Sequence, residues 1–326
     1  MADDPRRDKD RAAQKCALHD PISADADVDD QAILKALLRS VKDGQVLAFD
    51  ALLDEFDTSA LTTPAASIEQ LSAAQRAHHQ KERNGIKLTE DEAAELEALA
   101  GGDKVLRRIF SNADKLDFCK VLLKHGWDPN RRIEDTSTPL SVAVGCPETV
   151  RWLLENGADP NARVIPGGKA DVLTIAAAKR PKASPQVIKL LLEHGADVRE
   201  THALHVAASR SGERVAPDER GEPDPAMMEI LRILLDAGAN VNQMDPDPKG
   251  PDSLARNGRQ RTFTTGTPLH HAVAHGSPEA VSYLLARDAD LSAPSWSGHT
   301  AMQAAERAQR DDILEVIALH KKQWAA

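Results

Sequence analysis

Two histidines four residues apart are the sharpest chemical signal in this chain. His271 and His275 stand at i and i+4 with His270 just before them, so two imidazoles could face one side of a helix and ligate a metal. A metal site needs three or four convergent ligands, and no third donor stands at a matching spacing. The pair is therefore read as structural. His78 and His79 are adjacent, point to different helical faces and read as solvated. His125, His194 and His320 fall where helices end, and a partly charged imidazole suits the dipole there. Nucleophiles are no better placed. There is no Gly-x-Ser-x-Gly elbow, no phosphate-binding Gly-x-x-x-x-Gly-Lys-Ser/Thr loop and no His-Glu-x-x-His motif. Pro166-Gly167-Gly168-Lys169 lacks the spacing and the hydroxyl of a phosphate loop and reads as a turn. Cys119 lies on an apolar stripe, which makes it a buried, inert thiol, whereas Cys146 precedes Pro147 in a short connection and is the more exposed candidate. The expectation is a non-catalytic chain with no metal and no cofactor. The alternative is a metal-binding or enzymatic site near His271 and His275 or in the N-terminal extension.

Composition says what kind of scaffold must position these residues. Of 326 residues only 3% are aromatic while 41% are apolar, so the apolar share comes mostly from Ala, Leu and Val. That balance fits many small, closely packed helices better than one large core. Acidic residues number 51 against 41 basic, a net charge of -10, which argues against a general nucleic-acid binder. The longest apolar runs, such as Val46-Leu47-Ala48-Phe49, fall far short of the roughly 18 residues a membrane span needs. Met1 to Arg7 is too polar for a secretory signal. An odd cysteine count without paired spacing fits a reducing compartment. A cytoplasmic or nuclear protein with no membrane contact is expected.

Self-similarity then organises the chain. The run from Val150 to Asn161 recurs from Ile188 to Val198 and from Leu231 to Asn242, with weaker copies at Cys119–Asn130 and Val281–Leu291. A second element, Thr267-Pro268-Leu269-His270-His271-Ala272, matches Thr138 to Ala143, and more loosely His202 to Ala207 and Thr300 to Ala305; Thr267 to Thr300 is 33 residues. Threonine before proline is a helix N-cap with proline at the first helical position. Val150, Leu153 and Leu154 make one apolar stripe at i, i+3, i+4. Gly157, Gly195 and Gly238 sit where that helix ends, a place that favours left-handed backbone.

These motifs resemble the ankyrin repeat, with its Thr-Pro-Leu-His opening, paired leucines and Gly-Ala-Asp ending. The resemblance implies an all-α solenoid of helix pairs with short hairpin fingers, here with an N-terminal helical extension. It also implies that His270 makes the family's hydrogen bond between neighbouring loops. The spacing divides the chain into a disordered N-terminus at 1–25, a helical extension at 26–104 with a divergent first pair at 33–57, and about 5.5 repeats over 105–326. Insertions at 211–226 and 245–266 read as loops. At Asp288 the usual glycine is missing, which leaves that helix end less defined.

Members of this family bind other proteins on a concave surface of fingers and first helices. Projected here, that surface offers Arg131, Arg132, Arg163 and Trp296 from fingers and Lys179, Arg180, Arg210 and His275 from first helices. The set is basic although the chain is acidic, so the expected partner is an acidic protein segment. A monomer is expected. Nucleic acid is the weaker reading, resting on Arg256, Arg259 and Arg261 in the long finger.

Overall fold

The computed structural model of the chain describes residues 30–55, 103–133, 137–163, 170–179, 183–199, 201–212, 225–245 and 266–324. Within these the helices come in pairs, an inner and an outer. The first pair is α1 (Asp30–Asp43) and α2 (Val46–Glu55). The next is α3 (103–110) and α4 (Leu116–Lys124), joined by a short 3-10 turn at Ala113–Lys115. There follow α5 (Pro139–Ala143) with α6 (Pro147–Glu155), α7 (Val172–Ala178) with α8 (Pro185–Glu193), and α9 (Ala203–Arg210) with α10 (Pro225–Asp236). The last pairs are α11 (Pro268–His275) with α12 (Pro278–Leu285), and α13 (Ala301–Arg307) with α14 (Asp311–Trp324). From α5 onward each inner helix packs on the inner helix of the next pair, which is a solenoid. The chain is mostly helical. No strand occurs among the described residues, and two fingers narrow to single bridges, Ile133 with Ser137 and Arg163 with Asp171.

Local chemistry explains the pairs. Thr138 caps α5 in a capping box, its hydroxyl accepting from the Ser141 amide at 3.1 Å while Ser141 Oγ accepts from the Thr138 amide at 2.9 Å. Thr300 caps α13 in the same way with Gln303, and the Asp171 carboxylate caps α7 by accepting from the Thr174 amide at 2.8 Å. Each outer helix from α6 to α12 opens on proline, where a missing amide costs nothing. For this reason Pro225 and Ala226 open α10 and do not belong to the 211–226 loop; of that insertion, 213–224 lies outside the described residues. The expectations for 1–29 and 56–102 also fall outside them. Between the gaps, α2 and α4 pack through Phe49 and Phe118, ring centroids 5.2 Å apart, and Lys124 Nζ donates to Asp50 at 2.8 Å. No helix among the described residues is long and apolar enough to cross a membrane.

Outer helices α4, α6, α8 and α10 end on glycine with φ between +78 and +92. Asp288 takes the same role at φ 64, and Ala289 N reaches back to Leu284 O at 3.1 Å, as Ala158 N does to Leu153 O at 2.9 Å. The helix end at Asp288 is therefore defined, with a side chain in left-handed backbone. Replacing Asp288 by glycine is expected to stabilise the fold by about 1 kcal/mol. A urea midpoint no higher than wild type would contradict this.

An asparagine ladder ties successive repeats. Asn130 donates to Gly157 O at 2.9 Å and accepts from Asp159 N at 2.7 Å. Asn161 makes the same pair of bonds to Gly195 O and Asp197 N, and Asn242 to Asp288 O and Asp290 N. Arg199 occupies the matching position between Asn161 and Asn242 and folds onto Asp197 instead, at 3.1 Å. That seam is held from the inner side, where Thr201 Oγ1 donates to Asp171 at 3.0 Å and His202 N donates to Thr174 Oγ1 at 3.1 Å. Installing the rung with Arg199→Asn should add about 1 kcal/mol, two partly exposed hydrogen bonds. Chemical denaturation reads it directly: an unchanged midpoint would mean the two repeats are not in ladder register.

Candidate functional site

The residues assigned to the concave surface divide into two groups. Arg131 is only 2% exposed, with Nη1 3.6 Å from Asp103 Oδ1. Burial pushes its pKa down and the Asp103 carboxylate opposes that shift. Arg210 is 7% exposed, and its Nη1 donates to Ala177 O at 2.7 Å and to Lys179 O at 3.2 Å. It caps the carbonyl end of α7, the helix of the preceding repeat. Arg310 does the same for α11 through Val273 O and Gly276 O. The assignment of Arg131 and Arg210 as partner contacts is corrected: both hold the solenoid together.

The second group keeps surface. Arg132 is half-buried and donates to Arg163 O at 3.2 Å, so the two arginines stand on adjacent fingers. Arg163 and Lys179 are half-buried and His275 is exposed. Its ring is nevertheless partly desolvated, which lowers the His275 pKa, aided by His271 and Arg310. Arg180 lies outside the described residues. Trp296 is 48% exposed, yet its indole N–H donates to Asp245 O at 2.9 Å.

Asp245 is the residue that sequence reasoning did not single out. Its amide donates to Gly266 O at 3.0 Å, which closes the neck of the long finger, and its Oδ2 lies 3.1 Å from His271 Nε2. Residues 246–265 of that finger fall outside the described residues. His271 thus faces a carboxylate. Behind it the His205 ring meets it edge-on at 5.3 Å between centroids, with His205 Nε2 on Gln243 O at 2.9 Å. His270 accepts from Thr267 N at 3.2 Å through Nδ1 and bonds His299 O at 3.0 Å through Nε2, the loop-to-loop bond the repeat implies. Its proton therefore sits on Nε2.

Among the described residues one cluster gathers three metal-type donors within reach of each other: Asp50, Asp54 and His125. Lys124 Nζ already bonds both Asp50 oxygens, at 2.8 and 3.0 Å, and together with His125 it holds the Asp50 carboxyl below the usual range. This is the clamp between α2 and α4. Cys119 is buried and its thiol is pushed up to about 12 by burial, so it is inert. Cys146, expected to be more exposed, is 7% exposed and bonds Ser111 O at 3.6 Å. The packing of the preceding turn covers it.

Comparison with known proteins gives one consistent result. The family described as Ankyrin repeats (3 copies) matches residues 65–164 and 226–324. Ankyrin repeat and SOCS box protein 16 of mouse is 30% identical over 224 residues, 68% of this chain and 44% of that protein. Its human counterpart is 30% identical over 227 residues with the same coverage. The chain spans less than half the length of these relatives. Among solved structures, the human ASB11 ankyrin repeat domain aligns with a TM-score of 0.50 at 17% identity, covering 87% of this chain and 96% of that domain, a likeness of fold.

Proposed function

Because the chain belongs to the ankyrin-repeat family, we propose that it is a non-catalytic protein-interaction module, an adaptor, scaffold or inhibitor that takes its partner on the concave face of fingers and inner helices. The observation that carries this reading is Trp296, a large aromatic left 48% exposed on a finger while its polar edge is tied down. Exposed tryptophan is enriched where binding energy concentrates. The relatives join ankyrin repeats and a SOCS box in one protein by their name, which favours the adaptor among these roles. Arg132, Arg163 and Lys179 keep part of their surface on fingers and inner helices, which suits a partner segment rich in carboxylates. Arg180 follows Lys179 in the sequence and adds a further positive charge to the expected set. The chain acts as a monomer, in the cytoplasm or nucleus.

An affinity capture from lysate tests the reading. Wild type is compared with Arg163→Glu/Lys179→Glu/Trp296→Ala and with Arg151→Glu, an exposed change on outer helix α6. A partner held by wild type and by Arg151→Glu, and weakened about tenfold or more by the triple variant, is expected. Equal retention by all three proteins would reject the concave face. Circular dichroism checks that each variant folds.

A further inference from the structure

We propose that the turn 295–299 carries the anchor seat for the partner: the open face of Trp296 receives one bulky apolar side chain, and Arg307 beside it takes a carboxylate a few residues away on the same segment. This rests on the concave-face reading above and specifies its partner. Of the large apolar side chains left exposed among the described residues, Leu47, Trp296 and Leu319, only Trp296 stands on a finger. An indole has one polar atom, its N–H donor. That donor is engaged by Asp245 O, so what remains outward is carbon surface and π-face.

The seat is rigid. Asp245 is fixed on both sides, by Gly266 O and by His271, and so acts as a positioning residue for the indole. The turn itself closes through Ser295 N to His299 O and Gly298 N to Ser295 O, both 2.8 Å, with Gly298 at φ +79. Ser297 Oγ links Ser295 Oγ at 2.9 Å to His299 Nδ1 at 3.0 Å. A platform ordered before binding avoids the entropy of ordering it on contact.

Charge selects the occupant. Arg307 Nη1 donates to His299 Nε2, which places a guanidinium on the turn that carries Trp296. No carboxylate contacts Arg307 among the described residues, and its other donors suit a bidentate carboxylate. A fixed cation beside the indole disfavours a lysine or arginine on its face. An apolar side chain next to aspartate or glutamate meets both demands.

A displayed library of random linear peptides, selected on the full chain, tests this. Enriched peptides are expected to share a bulky apolar residue followed closely by Asp or Glu. They should bind Trp296→Ala roughly 30-fold more weakly and Arg307→Glu roughly tenfold more weakly. Changing the peptide's acid to lysine should restore binding to Arg307→Glu. Peptides weakened by Lys179→Glu but unchanged with Trp296→Ala would overturn the seat and leave the concave face standing. Peptides indifferent to all three variants, or no enrichment, would overturn both. Trp296 and Arg307 are exposed, so the variants keep the fold, and circular dichroism verifies it.

Discussion

Gly276→Ala is expected to be among the most damaging single changes in the protein, lowering stability by about 3 kcal/mol. Gly276 follows α11 at φ -81, ordinary backbone for any residue, so the loss would not come from a forbidden conformation. It would come from contact. A Cβ there would collide with Ala208 O of α9 and stand 2.7 Å from Ala272 O. Its counterpart across the seam is equally closed, since a Cβ on Gly212 would stand 2.5 Å from His275 O and 2.7 Å from Gly276 O. All of these are backbone atoms, which cannot rotate away as a side chain can. The seam is also fixed by Ser277 N donating to Ser211 Oγ at 3.0 Å, so the repeats cannot separate without breaking it. Thermal unfolding should fall by roughly 6–12 °C. Gly238→Ala is the contrast: its Cβ would meet nothing within 4 Å, and only φ +92 opposes it. That change should cost about 1 kcal/mol. If Gly276→Ala proves no worse than Gly238→Ala, α9 and α11 do not approach as closely as described.

The two glycines also mark what a sequence displays and what it hides. Gly238 closes a helix whose apolar stripe and Gly-Ala ending repeat along the chain, so its left-handed backbone was predictable from neighbours. Thr138, Thr267 and the asparagines of the ladder belong to the same class, because their chemistry is local and recurs at fixed spacing. Gly276 and Gly212 matter through a contact between residues 64 positions apart, and no short-range pattern records that. Arg131 and Arg210 show the same limit from the other side. Their charge was visible, but their partners were not: the Asp103 carboxylate for one, the carbonyls that end α7 for the other. A cation that caps a neighbouring helix and a cation offered to a partner have the same letter. Asp245 was legible only as the acidic start of a long finger, whereas the fold makes it the point where His271, Gly266 and Trp296 meet.

Acid should loosen this same region first. His205 is 3% exposed and its pKa is pushed down to about 3, chiefly by burial, then by His271 and His202, with its bond to Gln243 O and the Gly266 backbone opposing. In the unfolded chain the imidazole has its ordinary value of 6.5. Between those two values the unfolded chain binds a proton that the folded chain does not, so stability is full above pH 6.5 and falls as pH falls. At about 1.4 kcal/mol per pH unit, lowering pH from 6.5 to about 4.5 should remove about 2–3 kcal/mol. His270 and His275 are also depressed by burial and add to the slope in the same direction. The depressed carboxylates, such as Asp50, Asp197 and Asp312, lose their contribution only as pH falls below their ordinary 3.8, outside this window. His205→Gln keeps a donor for Gln243 O and has nothing to protonate, so it should flatten the dependence by most of that amount. Urea midpoints at pH 7 and at about pH 4.5 decide it, and equal losses for wild type and His205→Gln would refute the assignment. Gln243 precedes Asp245 by two residues, so opening the buried pocket to hydrate a protonated His205 loosens the neck that holds Trp296. Partner affinity should therefore weaken over the same pH range before the rest of the solenoid unfolds, and His205→Gln should protect both.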